Sequence, residues 1–362
     1  MEYILNDVLE IKNGKNQKAV ENSEGQYPIY GSGGVIGYAD DYICDADTVV
    51  IGRKGSINNP IYVSEPFWNV DTAFGLVARR EVLLPRYLFY FCKKFDFEKL
   101  NKTVTIPSLT KCDLLNIKIK LPDIDEQQLV VDKLIRIESV MELRKQELNV
   151  LDNLIKARFV EMFGDYINEG GKPLSELATI TGGLTKNSKR NTFNLKMPYL
   201  RVANVFFNRL DLNEILEIGV REDEIGKTLL EAGDLLFVEG NGSIEQIGRV
   251  AIWDGSINQI LHQNHLIKAR FHKKTILPEY ALFYFMSQEG RQQIISKSVS
   301  TSGLNTLSVN KISSLILPMP PIELQERFAA FVTQVNKSKV AVQKALDETQ
   351  MLFDSLMQKY FA

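Results

Sequence analysis

Side chains that can pair with a base edge or a phosphate gather in four short stretches: NGKNQK (Asn13–Lys18), GRKGSINN (Gly52–Asn59), TKNSKRN (Thr185–Asn191) and EGNGSIEQ (Glu239–Gln246). Arg and Lys suit guanine, Asn and Gln suit adenine, and Ser suits either, when a loop or helix brings them into the major groove. Glycines between them let backbone approach phosphate, which nearby cations neutralise. The candidates are Lys15, Asn16, Arg53, Lys54, Ser56 and Asn58, then Lys186, Asn187, Lys189, Arg190, Asn241, Ser243 and Gln246. Arg53–Ser56 and Gly240–Ser243 fall at equivalent places in an internal repeat described below. Each stretch read by itself is also an ordinary polar turn.

Catalytic patterns fail on inspection. NPIY (Asn59–Tyr62) resembles an adenine-methyltransferase signature, but Ile61 stands where proline is needed, and it reads as a turn entering a strand. GSGGVIG (Gly31–Gly37) has Ile36 where a dinucleotide fingerprint needs glycine, and reads as a flexible surface loop. GKT (Gly226–Thr228) ends like a phosphate loop, but Arg221 replaces its first glycine and acidic residues fill the interval. His262 and His265, with His272 nearby, lack a cysteine or close carboxylate to complete a metal set, so no metal site is expected.

With 43 Lys and Arg against 45 Asp and Glu, the chain carries a formal charge of −2. Unselective coating of nucleic acid needs a strong basic surplus, so that class is disfavoured while a selective reader is not. Local basic clusters exist at Lys12, Lys15 and Lys18, at Arg53 and Lys54, at Lys186, Lys189 and Arg190, and at Arg270, Lys273 and Lys274. Cys44, Cys92 and Cys112 have no CxxC spacing and are expected to be reduced, buried thiols in a cytosolic protein. Glu2, Asp7 and Glu10 occupy the place of a signal-peptide core, and no stretch is apolar enough to span a membrane.

The 362 residues are enough for two domains, and the chain is internally repeated. LPDIDEQQ (Leu121–Gln128) returns as MPPIELQE (Met319–Glu326), with Pro122, Ile124 and Gln127 matching Pro320, Ile322 and Gln325, 198 positions on. Upstream, LLPRYLFYF matches ILPEYALFYF, with Pro85 and Pro278 193 positions apart. ADTVVIGRKGS matches GDLLFVEGNGS, with Asp47 and Asp234 187 apart. The drifting offset signals small loop insertions.

Each junction opens a long helical stretch, with Asp123 and Glu126 spaced for a capping box and Pro321 suited to a first helical residue. A heptad seam runs through Leu134, Ile137, Met141, Leu148, Leu151, Ile155 and Met162, interrupted by Arg144 and Arg158. The same register in the second copy gives Val332, Val335, Val342, Leu346, Phe353, Leu356 and Tyr360, interrupted by Lys339 and Thr349. Helices of ~40 residues are roughly 60 Å long. Paired antiparallel in one chain, they would hold two heads at opposite ends of a rod. GDYINEGGKP (Gly164–Pro173) supplies the turn into the second head.

The expected architecture is therefore α+β. Two mixed α/β domains (1–122 and 164–320) alternate with two spacer helices (123–163 and 321–362) in a pseudo-two-fold repeat. Apolar residues off the seam, Val131, Ile135, Val140, Val150 and Leu154 and then Phe328, Phe331, Val340, Met351 and Leu352, need cover from the heads or from another chain.

This order of domain, junction, helix, domain, junction, helix resembles the DNA-specificity (S) subunits of type I restriction-modification systems over essentially the whole chain. The resemblance implies a non-catalytic, cytoplasmic subunit whose two target-recognition domains each read half of a split duplex-DNA sequence in host defence. It also implies helices that set the spacing and hold two modification subunits. Those partners would use S-adenosylmethionine to methylate adenine at N6, and restriction subunits using ATP and Mg could join. No cofactor would belong to this chain. The other class the order allows is a two-headed structural adaptor that does not bind DNA.

Overall fold

The computed structural model describes residues 1–103, 106–167, 169–272, 275–301 and 303–362. The chain divides into two compact units, Met1–Gln146 with Val342–Ala362, and Glu147–Ala341.

The first unit is organised by the TVVIG run (Thr48–Gly52). Its β-branched residues favour an extended chain, and all five positions are buried. Alternation along the strand sends Val49 and Ile51 into one apolar cluster and Val50 into another, so the strand is covered on both faces. It lies within an antiparallel sheet ordered Leu9–Asn13, Ala73–Ala78, Thr48–Gly52, Ile61–Val63. A smaller sheet is ordered Gly34–Ala39, Tyr27–Gly31, Trp68–Asn69, its last pair parallel.

The second unit repeats this plan. LLFV (Leu235–Val238) sends Leu235 and Phe237 to one cluster and Leu236 and Val238 to another. The four-stranded order becomes Ala178–Gly182, Leu266–Phe271, Leu235–Val238, Val250–Ile252. The smaller sheet becomes Leu216–Gly219, Lys196–Leu200, Leu261–His262, and its last pair is again parallel. The copies diverge by insertion. The second adds a hairpin (Val205–Phe206 with Arg209–Leu210), a three-stranded ribbon (Gly240–Asn241, Leu304–Thr306, Val299–Thr301) and the helices Glu222–Thr228 and Gln288–Lys297.

The repeated junction has a physical cause. Gln127 is fully buried; its Oε1 accepts from Leu84 N at 2.9 Å, and its Nε2 donates to Val82 O at 2.9 Å and Pro122 O at 3.0 Å. Gln325 repeats the arrangement, accepting from Leu277 N at 2.8 Å and donating to Thr275 O at 3.0 Å and Pro320 O at 2.9 Å. In each unit one amide ties the start of a long helix to the chain entering the Pro-initiated helix, Pro85–Lys94 or Pro278–Met286. Burial of these polar groups is tolerated because each is satisfied.

The long helices run Ile124–Ile167 and Ile322–Phe361. Asp123 caps the first, its Oδ1 accepting from Glu126 N at 2.8 Å, which is half of the expected capping box. Pro321 stands one position before the second helix rather than inside it. The first helix also continues past 163, so the expected turn at Gly164–Pro173 begins inside it, and of that stretch Asn168 lies outside the described residues. A Cβ at Gly164 would meet open space, so no crossing segment requires that glycine. Continuing the helix through it costs about 1 kcal/mol relative to alanine, which the added helical hydrogen bonds offset.

No seam residue is exposed. In the first unit Leu134, Phe353 and Met357 belong to the core, with Ile137, Met141, Leu356 and Tyr360 against it. In the second unit Ile155, Val332 and Val335 belong to the core, with Leu151 and Met162 beside them. There Lys339 pairs with Asp152, and Phe159 and Phe163 meet Phe328 edge-on at 5.5 and 5.4 Å. Rising numbers on one helix meet falling numbers on the other, so the two segments in this unit are antiparallel. Off the seam, Val131 and Phe328 are buried, whereas Val140, Val150, Leu154, Val340, Met351 and Leu352 are exposed.

Cys44 and Cys92 are buried free thiols, and burial pushes the Cys44 thiol up to about 12. Cys112 departs from the expectation and is exposed. No helix among the described residues is long and apolar enough to cross a membrane.

Candidate nucleic-acid interface

In the first unit, strands Leu9–Asn13 and Thr48–Gly52 both pair antiparallel with Ala73–Ala78, so they point the same way and end together, Asn13 opposite Phe74 and Gly52 opposite Ala73. Three segments therefore meet at one sheet edge: the loop from Gly14, the loop from Arg53, and the approach Val70–Thr72. Backbone bonds stitch them, with Gly14 N donating to Ala73 O, Lys15 N to Asn69 O, and Arg53 N to Thr72 O at 2.8 Å. A Cβ at Gly14 would lie 1.8 Å from Val70 O. This glycine thus serves the crossing of two chain segments, not the approach of a phosphate.

Lys15, Asn16, Arg53, Lys54 and Ser56 are exposed on this edge. The Arg53 guanidinium donates to Asp71 O at 3.4 Å and sits 5.8 Å from the Phe74 ring. Asn16 accepts from Lys18 N at 2.9 Å, which shapes the loop. Asn58 is tied to its own domain, against expectation: its Oδ1 accepts from Phe97 N at 2.7 Å and its Nδ2 donates to Asp96 at 3.1 Å. Both ends of its amide are engaged in holding the Phe97–Leu100 turn.

The same edge recurs in the second unit. Gly182 faces Ile267, Val238 faces Leu266, and the loops from Gly183 and Glu239 meet the approach His262–His265. Leu184 N donates to His262 O and Glu239 N to His265 O. A Cβ at Gly183 would lie 2.1 Å from His262 O, repeating the Gly14 crossing. Lys186, Asn187, Lys189 and Ser243 are exposed here, and Gln246 and Asn241 are half-buried. Asn241 accepts from Ser243 N at 2.9 Å, the same kind of turn as at Asn16 but on the other loop of the repeat.

Arg190 overturns the expectation made for it. It is 7% exposed, and its guanidinium grips both Glu224 oxygens at 3.0 and 2.9 Å while donating to the carbonyls of Thr185 and Gly219. That hydrogen bonding holds the Glu224 carboxyl below the usual carboxylate range. A planar five-donor group suits such an internal clamp, and it has no free fork for a guanine. Arg270 of the fourth basic cluster is likewise held, by Asp234 at 2.8 and 2.7 Å and by Glu231. Lys273 and Lys274 lie outside the described residues.

His262 is fully buried, its Nδ1 donating to Thr228 O at 2.8 Å, while Nε2 has no partner among the described residues. Burial, with the Lys268 ammonium adding to it, pushes its pKa down to about 4. His265 is exposed and pairs with Glu239 at 2.7 Å. No group of three metal-ligating side chains occurs among the described residues.

The His262 environment gives a pH prediction. The folded state holds the imidazole neutral, and the unfolded chain protonates it below the usual value near 6.5. This contribution is therefore full above about pH 6.5 and is lost as pH falls towards 4, by about 2 kcal/mol between pH 7 and pH 5. His262→Gln should flatten that part of the stability profile, measured by urea unfolding at both pH values. An equally steep profile in the variant would refute the assignment.

The GSGGVIG stretch, expected as a flexible loop, is ordered as a hairpin: Gly31 ends one strand and Gly34 begins the next. Sequence reasoning missed both this hairpin and the approach segments, since only the fold brings them beside the basic loops. GKT, by contrast, lies in the helix Glu222–Thr228, and Ile61–Val63 is the strand that NPIY enters.

Comparison with known proteins matches the description "Type I restriction modification DNA specificity domain" to residues 1–153 and again to 171–349. The chain belongs to the type I restriction-modification DNA specificity family. It is 25% identical over 338 residues to the specificity subunit of the type I restriction enzyme EcoKI of Escherichia coli K12, covering 86% of this chain and 71% of that one. The StySPI specificity subunit of Salmonella potsdam is 21% identical, with the same two coverages. In fold it is similar to the solved type I S subunit from M. genitalium, with TM-score 0.61, 16% identity, and coverage of 100% of this chain and 96% of that one. Specificity subunits are the non-catalytic, DNA-binding components of type I systems and assemble with other subunits. The specificity domain is present here twice, one match to each copy of the repeated sheet plan.

Proposed function

We propose that each repeat reads one half of a bipartite duplex-DNA target through the sheet edge described above. The observation that carries this is the recurrence of one edge in both copies of the domain, built from the same three segments of the same sheet and rimmed by exposed Lys, Asn and Ser, with Arg53 added in the first copy. Residues 1–122 and 164–320 are then the target-recognition regions, and 123–163 and 321–362 the spacers that fix the distance between half-sites. The readers are Lys15, Arg53, Lys54 and Ser56 in the first, and Lys186, Asn187, Lys189, Ser243 and Gln246 in the second, with Asn16 and Asn241 shaping their loops. Exposed apolar residues on the spacers, Val140 and Val150, Val340 and Met351 among them, support docking of two modification subunits. Those subunits bring S-adenosylmethionine, and restriction subunits bring ATP and Mg.

The test is sequencing for N6-methyladenine in a methylation-free host carrying this chain with its modification partner, against the partner alone. A split motif that appears only with this chain is the expected result. A soluble complex and an active partner with no new motif would instead favour a structural adaptor. Arg53→Ala should cost about 1–3 kcal/mol in specific binding and relax one half of the motif. Asn241→Ala should weaken the other half by loosening its loop. Unchanged affinity and base preference in both variants, measured by duplex titration of the complex, would take these loops out of the readout.

A further inference from the structure

The hairpin beside the first repeat's basic loop ends in aliphatic side chains, which neither phosphate pairing nor core packing explains. Val35 is 50% and Ile36 57% exposed. The pairing runs Ile29 with Gly37 and then Tyr30 with Val35, so Ile36 is the extra residue of a β-bulge. A bulge re-aims the side chain it carries. Ile36 is turned over Gly31 and towards Val70, where a Cβ on Gly31 would meet Ile36 Cγ2 at 3.6 Å and Val70 Cγ2 at 3.8 Å. The tip also abuts the cationic loop, since a Cβ on Gly52 would lie 3.0 Å from Ser32 Cβ, and one on Gly55 3.6 Å from Ser32 Oγ. Val70 belongs to the approach segment and Gly52 and Gly55 flank Arg53 and Lys54, so the aliphatic tip is continuous with the proposed DNA-reading edge.

We infer that Val35 and Ile36 are specificity-determining residues that contact thymine methyl groups in the half-site read by the first repeat. This rests on the DNA reading proposed above and deepens it. Aliphatic groups gain nothing from the donors and acceptors of base edges, and the C5-methyl of thymine is the apolar feature that the major groove offers them. Two residues between cations form too small a patch for a stable protein partner, but enough for one or two methyl groups. The second repeat has no tight hairpin at the equivalent place, because its strand Lys196–Leu200 leads into the turn Val202–Asn204; its exposed aliphatic residues beside the Gly240–Asn241 loop, Ile244, Val299 and Leu304, come from other segments. The preference assigned to Val35 and Ile36 concerns the half read by the first repeat.

The test uses the full chain in complex with its modification partner and selection from a randomised duplex library. Wild type should select a split motif with thymine at one or two positions of one half. A variant carrying Val35→Ala and Ile36→Ala should become degenerate there while keeping the other half, which doubles as a check that the protein is folded. Replacing that thymine with deoxyuridine should weaken wild-type binding about fourfold per methyl and leave the variant unaffected. An unchanged motif in the variant, or equal wild-type affinity for thymine and deoxyuridine, overturns the inference; the second comparison needs no variant. If wild type selects no motif at all, the DNA reading itself has failed, an outcome separable from either of these.

Discussion

Gln325→Glu is expected to destabilise the second unit by about 3–5 kcal/mol although the side chain keeps its shape. The carboxylate can still accept from Leu277 N, but it places an oxygen where Nε2 now donates to Thr275 O and Pro320 O. Leaving a buried polar group unsatisfied costs about 1–3 kcal/mol, and facing two carbonyls with a buried charge adds to that. Gln127→Glu should act the same way in the first unit, through Val82 O and Pro122 O. Urea unfolding of the full chain, followed with the matching leucine variants, separates hydrogen bonding from packing. Losses under about 1 kcal/mol in both glutamate variants, less than one unsatisfied buried group costs, would show that the repeated glutamine is not what fastens helix to domain.

The second large effect concerns Arg190, where sequence and structure assign opposite roles. If the guanidinium is an internal clamp, Arg190→Met should cost about 3 kcal/mol or more, because it strands Glu224 and the carbonyls of Thr185 and Gly219. Adding Glu224→Gln should recover part of that loss by removing the unpaired charge. The salt dependence of DNA binding should change little, whereas removing a side chain that neutralises a phosphate would lower its slope by about one. A stable Arg190→Met variant with a reduced salt slope would return Arg190 to the interface.

Local chemistry made the repeat, both long helices and the shared seam legible in the sequence. Pro122 with Gln127 and Pro320 with Gln325 announce each helix, and the seam residues recur in one register because a side chain's place on a helix depends only on its spacing. TVVIG and LLFV were legible as copies of one another, through the match of ADTVVIGRKGS with GDLLFVEGNGS, whereas their burial on both faces is a finding of the fold.

What only tertiary structure decided is which polar side chains are left free to read a partner. Arg190 and Asn58 have the composition of readers, yet Glu224 and Asp96, 34 and 38 residues away, engage them. Gly14 and Gly183 are small because another chain segment crosses them. Ser32 of the hairpin that carries Ile36 lies against Gly52 and Gly55, which flank Arg53, a contact between segments of two different sheets. Each of these outcomes depends on contacts between residues distant in sequence, whose partners are set by how strands order themselves in a sheet, a choice that spacing along the chain does not encode.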